Sequence, residues 1–328
     1  MNQTNNSTWK ETVSSPWDAY YEKMGEISSE NQSVTIGFSA CQFALLCFIV
    51  WREYSTTTET RSFKKHVFNQ VNILIFCLIT SNMCFSIFNR LCFDLSINGY
   101  AEAITYGTFN TFFYTFFQFL LMYYLWVRNF FIVKTVAKWS LPFLRTIVVI
   151  YVLIQASLFI MYFLEPFVSL DVSNAVWTVI PSVTIASEIV LCSVDTFTVV
   201  IFIIFLRRAK TENILQRVDL IKYSMVAQYG IASFFCVQIL LASNVGVTEV
   251  FAPDTPIISI EVYSALYYVE LFTPLLYIFI QLLMKWSIHS TRQKIRSGSK
   301  FTSSKPESRK QKDPSTLRQS QTKSSVPA

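Results

Sequence analysis

Residues 141–164 read LPFLRTIVVIYVLIQASLFIMYFL, a run whose single charge, Arg145, stands near its start. At 1.5 Å per helical residue this stretch covers roughly 36 Å, enough to cross bilayer hydrocarbon about 30 Å thick. A helix apolar on every side is stable only when buried or in lipid. The rest of the chain extends that reading: of 328 residues, 52% are hydrophobic and 15% charged, with 30 Phe and 16 Tyr. Such a mixture excludes a soluble two-domain enzyme and points to an all-α membrane protein.

Working outward from this run, six further stretches are long and poor enough in charge to span: Val34–Trp51, Val67–Phe88, Ile104–Val127, Val176–Leu206, Tyr223–Ser243 and Ile257–Leu283. The expected fold is therefore a seven-transmembrane-helix bundle. Its orientation follows from the cations, because short basic segments resist translocation. Of the 27 Lys and Arg, 3 fall on the side of the N-terminus and 24 on the other, Arg145 included. The N-terminus is expected outside and the C-terminus in the cytoplasm, which makes this a multi-pass protein of the plasma membrane. The net charge of +6 thus reflects topology, and no nucleic-acid partner is implied.

The chain divides into an extracellular tail (1–33), the bundle (34–286) and a cytoplasmic tail (287–328). Asn-x-Ser/Thr triplets mark Asn2, Asn5, Asn6 and Asn31 as glycan acceptors on the outer tail. The outer tail also carries Glu11, Asp18, Glu22, Glu26 and Glu30 against Lys10 and Lys23. No basic segment leads an apolar core at the start, so the first span is expected to serve as signal anchor. Trp286 to Ile295 suits a short basic interfacial helix. Beyond Phe301 the chain is rich in Ser, Thr, Lys and Arg, a composition that cannot bury enough surface to fold.

Three acids stand out deep within the apolar runs, and acids in hydrocarbon normally face the bundle interior and mark a site. Glu188 and Asp195 are seven residues apart in the fifth span and so share a helical face. Glu270 lies in the seventh. No Lys or Arg falls inside a span apart from Arg145. The acids are therefore expected to be protonated, hydrogen-bonded to residues such as Asn72, Asn82, Gln118, Gln238 or tyrosines, or paired with a bound cation. By depth alone, Asn110, Tyr114, Glu188, Gln238 and Glu270 are candidate ligand-binding residues, with Tyr267 a candidate wall for a cationic ligand. With two histidines, His66 and His289, both outside the spans, no metal site, cofactor or Ser-His catalytic pair is expected there. The chain reads as a non-enzyme.

Pro274 in the seventh span removes the donor to the Glu270 carbonyl and prepares a hinge beside an ionisable group. Thr273-Pro274-Leu275-Leu276-Tyr277 resembles the Asn-Pro-x-x-Tyr element of rhodopsin-like G-protein-coupled receptors, with Thr in place of Asn. The resemblance covers five residues in sequence and the whole chain in architecture. It implies an activation switch at Pro274 and Tyr277, with Arg128 placed where that family has an acid-Arg-Tyr triplet. Here the triplet reads Val127-Arg128-Asn129, without the acid. The sixth span lacks a proline below Phe234-Phe235-Cys236, and the family's outer disulfide has no partner for Cys92. In its Phe-, Tyr- and Ser-rich, glycine-poor style the chain is similar to expanded chemoreceptor families such as the nematode serpentine receptors.

The resemblance implies a receptor for an extracellular ligand, chemosensory or small and cationic, that signals to an intracellular G protein through Arg207, Arg208 and Lys210. The competing expectation is a transporter or channel with Glu188, Asp195 and Glu270 as an ion or proton path. Absence of Lys from 257–283 argues against an opsin, and the cation count argues against the inverted topology of insect odorant channels.

Overall fold

The computed structural model describes residues 18–56, 68–93, 100–164, 167, 170–211, 217–250 and 259–302. Among them are seven long helices: α1 (Asp18–Ser55), α2 (Gln70–Phe93), α3 (Tyr100–Val136), α4 (Leu141–Leu164), α5 (Leu170–Thr211), α6 (Arg217–Val250) and α7 (Ile260–Thr302). A single 3-10 turn, Lys138–Ser140, joins α3 to α4. Consecutive helices pack against each other, α7 returns to α1 to close the ring, and α3 also reaches α5.

Six of the seven contain a window long and apolar enough to cross a membrane. The chain is thus a multi-pass helical membrane protein. The exception is α3, whose Tyr, Thr, Asn and Gln dilute its apolar residues; its inner surface is nonetheless the heart of the core. Phe117, Leu120, Leu121, Met122, Tyr124 and Leu125 of α3 meet Leu46 and Ile49 of α1, Leu74, Ile75 and Leu78 of α2, Leu191 of α5 and Ile278 of α7.

Burial is inverted relative to a water-soluble bundle. Phe76, Phe143, Leu153, Ile189 and Phe235 point outward, while Ser28, Asn31, Thr35, Ser39 and Gln42 of α1 are buried on one face. Their spacing of three and four residues is a polar stripe turned inward. In lipid an inward-facing polar group finds partners that hydrocarbon cannot give. Asn89 of α2 donates to Ser28 Oγ (2.9 Å) and to the Tyr267 hydroxyl (2.7 Å), which knits α1, α2 and α7 together.

The starts of α1 and α7 meet at Ser28 and Tyr267, and their finishes meet where Arg52 donates to Gln293 (2.9 Å). α1 and α7 therefore run in the same direction, and α2 runs against them with Asn89 near its finish on Ser28. The pairings Tyr114–Glu188, Arg128–Asp195 and Tyr124–Gln281 align α3 and α5 with α7. One end of the bundle collects the starts of α1, α3, α5 and α7, and the other collects their finishes. At the second end Arg52 lies 4.5 Å from the Trp286 ring centroid and Lys285 pairs with Glu53 at 3.1 Å.

Three expectations change. The boundary at residue 33 falls inside α1, which begins at Asp18. Asn31 is 2% exposed and donates to Ser86 Oγ, so a glycan there would have to displace α2. Asn2, Asn5 and Asn6 lie outside the described residues, as does the tail from 303. Finally, Trp286 to Ile295 is not a separate interfacial helix: α7 runs unbroken for 43 residues, and along its extension Gln293 is tied to Arg52 of α1 and His289 to Thr56 just past the end of α1.

Replacing Asn89 by Leu removes two interhelical hydrogen bonds and should cost roughly 1–2 kcal/mol, seen as a lower melting temperature of the purified protein in detergent. Leu153→Ala, on the lipid-facing side of α4, should leave the melting temperature nearly unchanged.

Candidate functional site

Two polar clusters lie buried in the bundle, two turns apart along α5. The first surrounds Glu188, which is 2% exposed. Its Oε1 accepts hydrogen bonds from Gln118 Nε2 (2.8 Å), Asn244 Nδ2 (3.1 Å) and the Tyr114 hydroxyl (3.4 Å). A carboxyl oxygen has the lone pairs to accept from several directions at once. The donors come from α3 and α6, so the acid of α5 holds three helices together.

The cluster continues into α4. The Tyr151 hydroxyl donates to Gln118 Oε1 (3.4 Å), and Gln155 Nε2 donates both to Tyr151 (3.1 Å) and to Ser187 Oγ (3.2 Å). Phe85 of α2 packs on the Tyr114 ring with centroids 5.5 Å apart. Glu270 of α7 lies within electrostatic reach of Glu188, and its Oε2 is buried without a hydrogen-bond partner. The approach of α6 to α7 that frames this region is close. A methyl added at Gly246 would stand 2.7 Å from Leu266 Cδ1.

The second cluster surrounds Asp195, which is fully buried. Arg128 Nη2 of α3 stands 3.5 Å from its Oδ1, with side chains 7% and 0% exposed. The expectation that the intramembrane acids lack a basic partner thus fails for Asp195. Arg128 closes the charge although it lies just past the expected end of the third span, because α3 continues to Val136. Its acid is supplied across the bundle by α5 rather than by a sequence neighbour.

Gln281 of α7, fully buried, is the hub of this second cluster. Its Oε1 accepts from the Tyr124 hydroxyl (3.0 Å) and from Arg128 Nη1 (3.5 Å), and its Nε2 donates to Ser233 of α6 (2.5 Å). Tyr277, 2% exposed, sets its ring edge-on to Tyr124 and leaves its hydroxyl without a hydrogen bond. On the adjoining side a narrow, shallow crevice runs between α3, α5 and α6. Arg128, Asn129, Phe202, Val226 and Gly230 are among its lining residues.

Of the residues singled out in the sequence, Tyr114 and Glu188 are brought into direct contact, and Glu270 joins them through its field. Asn110 stands one turn from Tyr114 on the same helix face, its Oδ1 buried and without a partner. Gln238 is separate, accepting from Cys192 Sγ at 2.9 Å. Tyr267 is consumed by packing: it stacks on Tyr263 and its hydroxyl is held by Asn89 and Ser28. Pro274 sits within continuous α7, where Gln42 of α1 donates to the Leu275 carbonyl (2.9 Å). Arg207 and Arg208 are exposed near the finish of α5, whereas the Lys210 side chain lies outside the described set.

Sequence reasoning missed Asn244, Gln281, Ser233, Tyr124 and Gln155. Gln281, Ser233, Tyr124 and Gln155 are polar residues within apolar stretches, the same signal that drew attention to the acids, whereas Asn244 lies one residue past the end drawn for the sixth stretch. Among the described residues no group of three or more His, Cys, Asp or Glu is arranged to hold a metal. No family model, curated protein or solved structure matches the chain.

Breaking the buried pair from one side leaves an uncompensated charge, so Arg128→Gln and Asp195→Asn should each destabilise the protein by about 3 kcal/mol. The double variant should lose less than the sum by roughly 1–3 kcal/mol. Chemical denaturation in mixed micelles, arranged as a double-mutant cycle, measures that difference.

Proposed function

We propose that this chain is a seven-transmembrane receptor of the plasma membrane, with its N-terminus outside, that binds an extracellular ligand and signals to a G protein in the cytoplasm. In this reading α3 crosses with the other six, since its contacts with α2, α4 and α5 shield its polar residues from lipid. The observation that carries the reading is the stacking of two buried clusters on the same helices. Glu188 and Asp195 both belong to α5, and Tyr114, Gln118 and Arg128 all belong to α3.

A ligand entering beside Glu188 competes with donors from α3 and α6. Whatever spacing it prefers among α3, α5 and α6 is felt two turns away at the Arg128 pair. A ligand shifts such an equilibrium only through different affinities for the two packings. The Arg128–Asp195 pair and Gln281 hold the finishing halves of α3, α5 and α7, together with the middle of α6 at Ser233, in one of them. Pro274 and Tyr277 lie on the segment of α7 that joins the levels of the two clusters. The exposed Arg207 and Arg208, with Lys210, extend α5 toward the cytoplasmic partner. Asn2, Asn5 and Asn6 remain the glycan acceptors of the outer tail. The chemosensory style of the composition suits a receptor for a small environmental ligand.

The transport reading draws on the two carboxyls Glu188 and Glu270. Asp195 does not continue their trail, because Arg128 occupies it. The experiment that separates the readings combines reconstitution with nucleotide exchange. Asp195→Asn, which frees Arg128, should raise ligand-independent exchange on a reconstituted G protein several-fold while leaving ion flux into proteoliposomes at background. Flux through the wild-type protein, with no exchange on any G protein class, would reverse the assignment. Epitope tags at the two termini should be reached by antibody before permeabilisation only at the amino end.

A further inference from the structure

The ligand's chemistry follows from an imbalance of donors and acceptors around Glu188 and Glu270. This inference rests on the receptor reading and specifies what that site takes. Glu188 Oε1 is supplied with three donors, whereas two other buried atoms in the same region have none: Glu270 Oε2 on α7 and Asn110 Oδ1 on α3. Both orphaned atoms are acceptors. Asn110 lies one helical turn from Tyr114, whose hydroxyl is within electrostatic reach of both acids.

Nor does the described chain supply the missing charge. Among the described groups acting on Glu188 and Glu270 there is no Lys or Arg. Arg128 is held by Asp195, Lys285 by Glu53 and Asn72, and Arg90 by Gln32. What complements this region is a group with positive charge, several donors and no acceptor.

We propose that the receptor binds a small organic amine, as its ammonium ion, with the charged head between Glu188 and Glu270 and one N–H directed to Asn110 Oδ1. An ammonium group has donors only, which is the complement of two orphaned acceptors. A divalent metal fits poorly, because the Gln118 and Asn244 amides turn N–H groups toward Glu188 Oε1 and a hard cation requires about six or more oxygens. Aromatic rings beside this region are Tyr114 and Phe85 packed on it, and π faces favour a neighbouring cation.

The test is thermal denaturation of the purified full-length protein in detergent with 2-phenylethylamine, a series of larger and smaller primary amines, and 2-phenylethanol as the neutral counterpart of the first. Amines should raise the melting temperature in a saturable way and the alcohol should not. Glu270→Gln should weaken the apparent amine affinity by about a hundredfold, and Asn110→Leu should weaken it less. Phe235→Ala, on the lipid face of α6, should leave it within about threefold.

Three outcomes overturn the proposal. No amine in the series stabilises the wild type, or sodium chloride stabilises it over potassium chloride in a Glu270-dependent way with amines inert, or amine binding survives Glu270→Gln and Glu188→Gln alike. If Glu270→Gln does not fold, Asn110→Leu and Glu188→Gln carry the comparison. Amine binding without nucleotide exchange would sink the signalling reading alone, whereas exchange driven only by neutral ligands would sink the amine inference alone.

Discussion

Hydrocarbon offers no hydrogen bonds, and this single deficiency orders the molecule. Polar side chains within the membrane-spanning segments are stabilised where they find a partner in another helix or in their own backbone. Small hydroxyls solve the problem locally. Thr80, Ser157, Ser193 and Thr196 donate to carbonyls one turn back and remain on exposed surfaces. Larger groups with two or more polar atoms cannot do so, and they turn inward. The result is a ring of helices whose outer surface is Phe, Leu, Ile and Val and whose interior is laced with Asn, Gln, Tyr and three acids.

The two clusters solve the cost of a buried acid in different ways. Asp195 is compensated by charge, through an arginine that reaches it from α3. Glu188 is compensated by dipoles, through two amides and a phenol. Glu270 Oε2 has neither arrangement and is left without a hydrogen-bond partner, which is why the proposed amine is placed there. Because α3 and α5 contribute to both clusters, a change of spacing at one level is not independent of the other. Packed helices accommodate such a change by switching between discrete arrangements rather than by deforming continuously.

The fourth helix, Leu141–Leu164, coincides with its apolar run because that run has sharp polar borders. The others extend beyond their runs: α1 starts at Asp18 and α7 finishes at Thr302, since a helix does not stop where hydrophobicity does. Among the site residues, Glu188 and its partner Gln118 were legible because both are long polar groups inside apolar runs. The Asp195 partner was hidden by the boundary drawn for the third span, which left Arg128 outside. Asn31 carried a glycan-acceptor triplet and is instead a buried strut between α1 and α2.

By itself the sequence determined the solvent of this protein and the identity of its functional suspects, because hydropathy, helix length and the rarity of acids in lipid are local properties of the chain. Only the tertiary structure decided which suspects meet. Asn244 and Gln118 reach Glu188 from 56 and 70 residues away, and Gln281 reaches Arg128 from 153. Such pairings depend on the order, tilt and rotation of the helices around the ring. Those are fixed by the sum of many interhelical contacts, and no stretch of sequence read alone contains them.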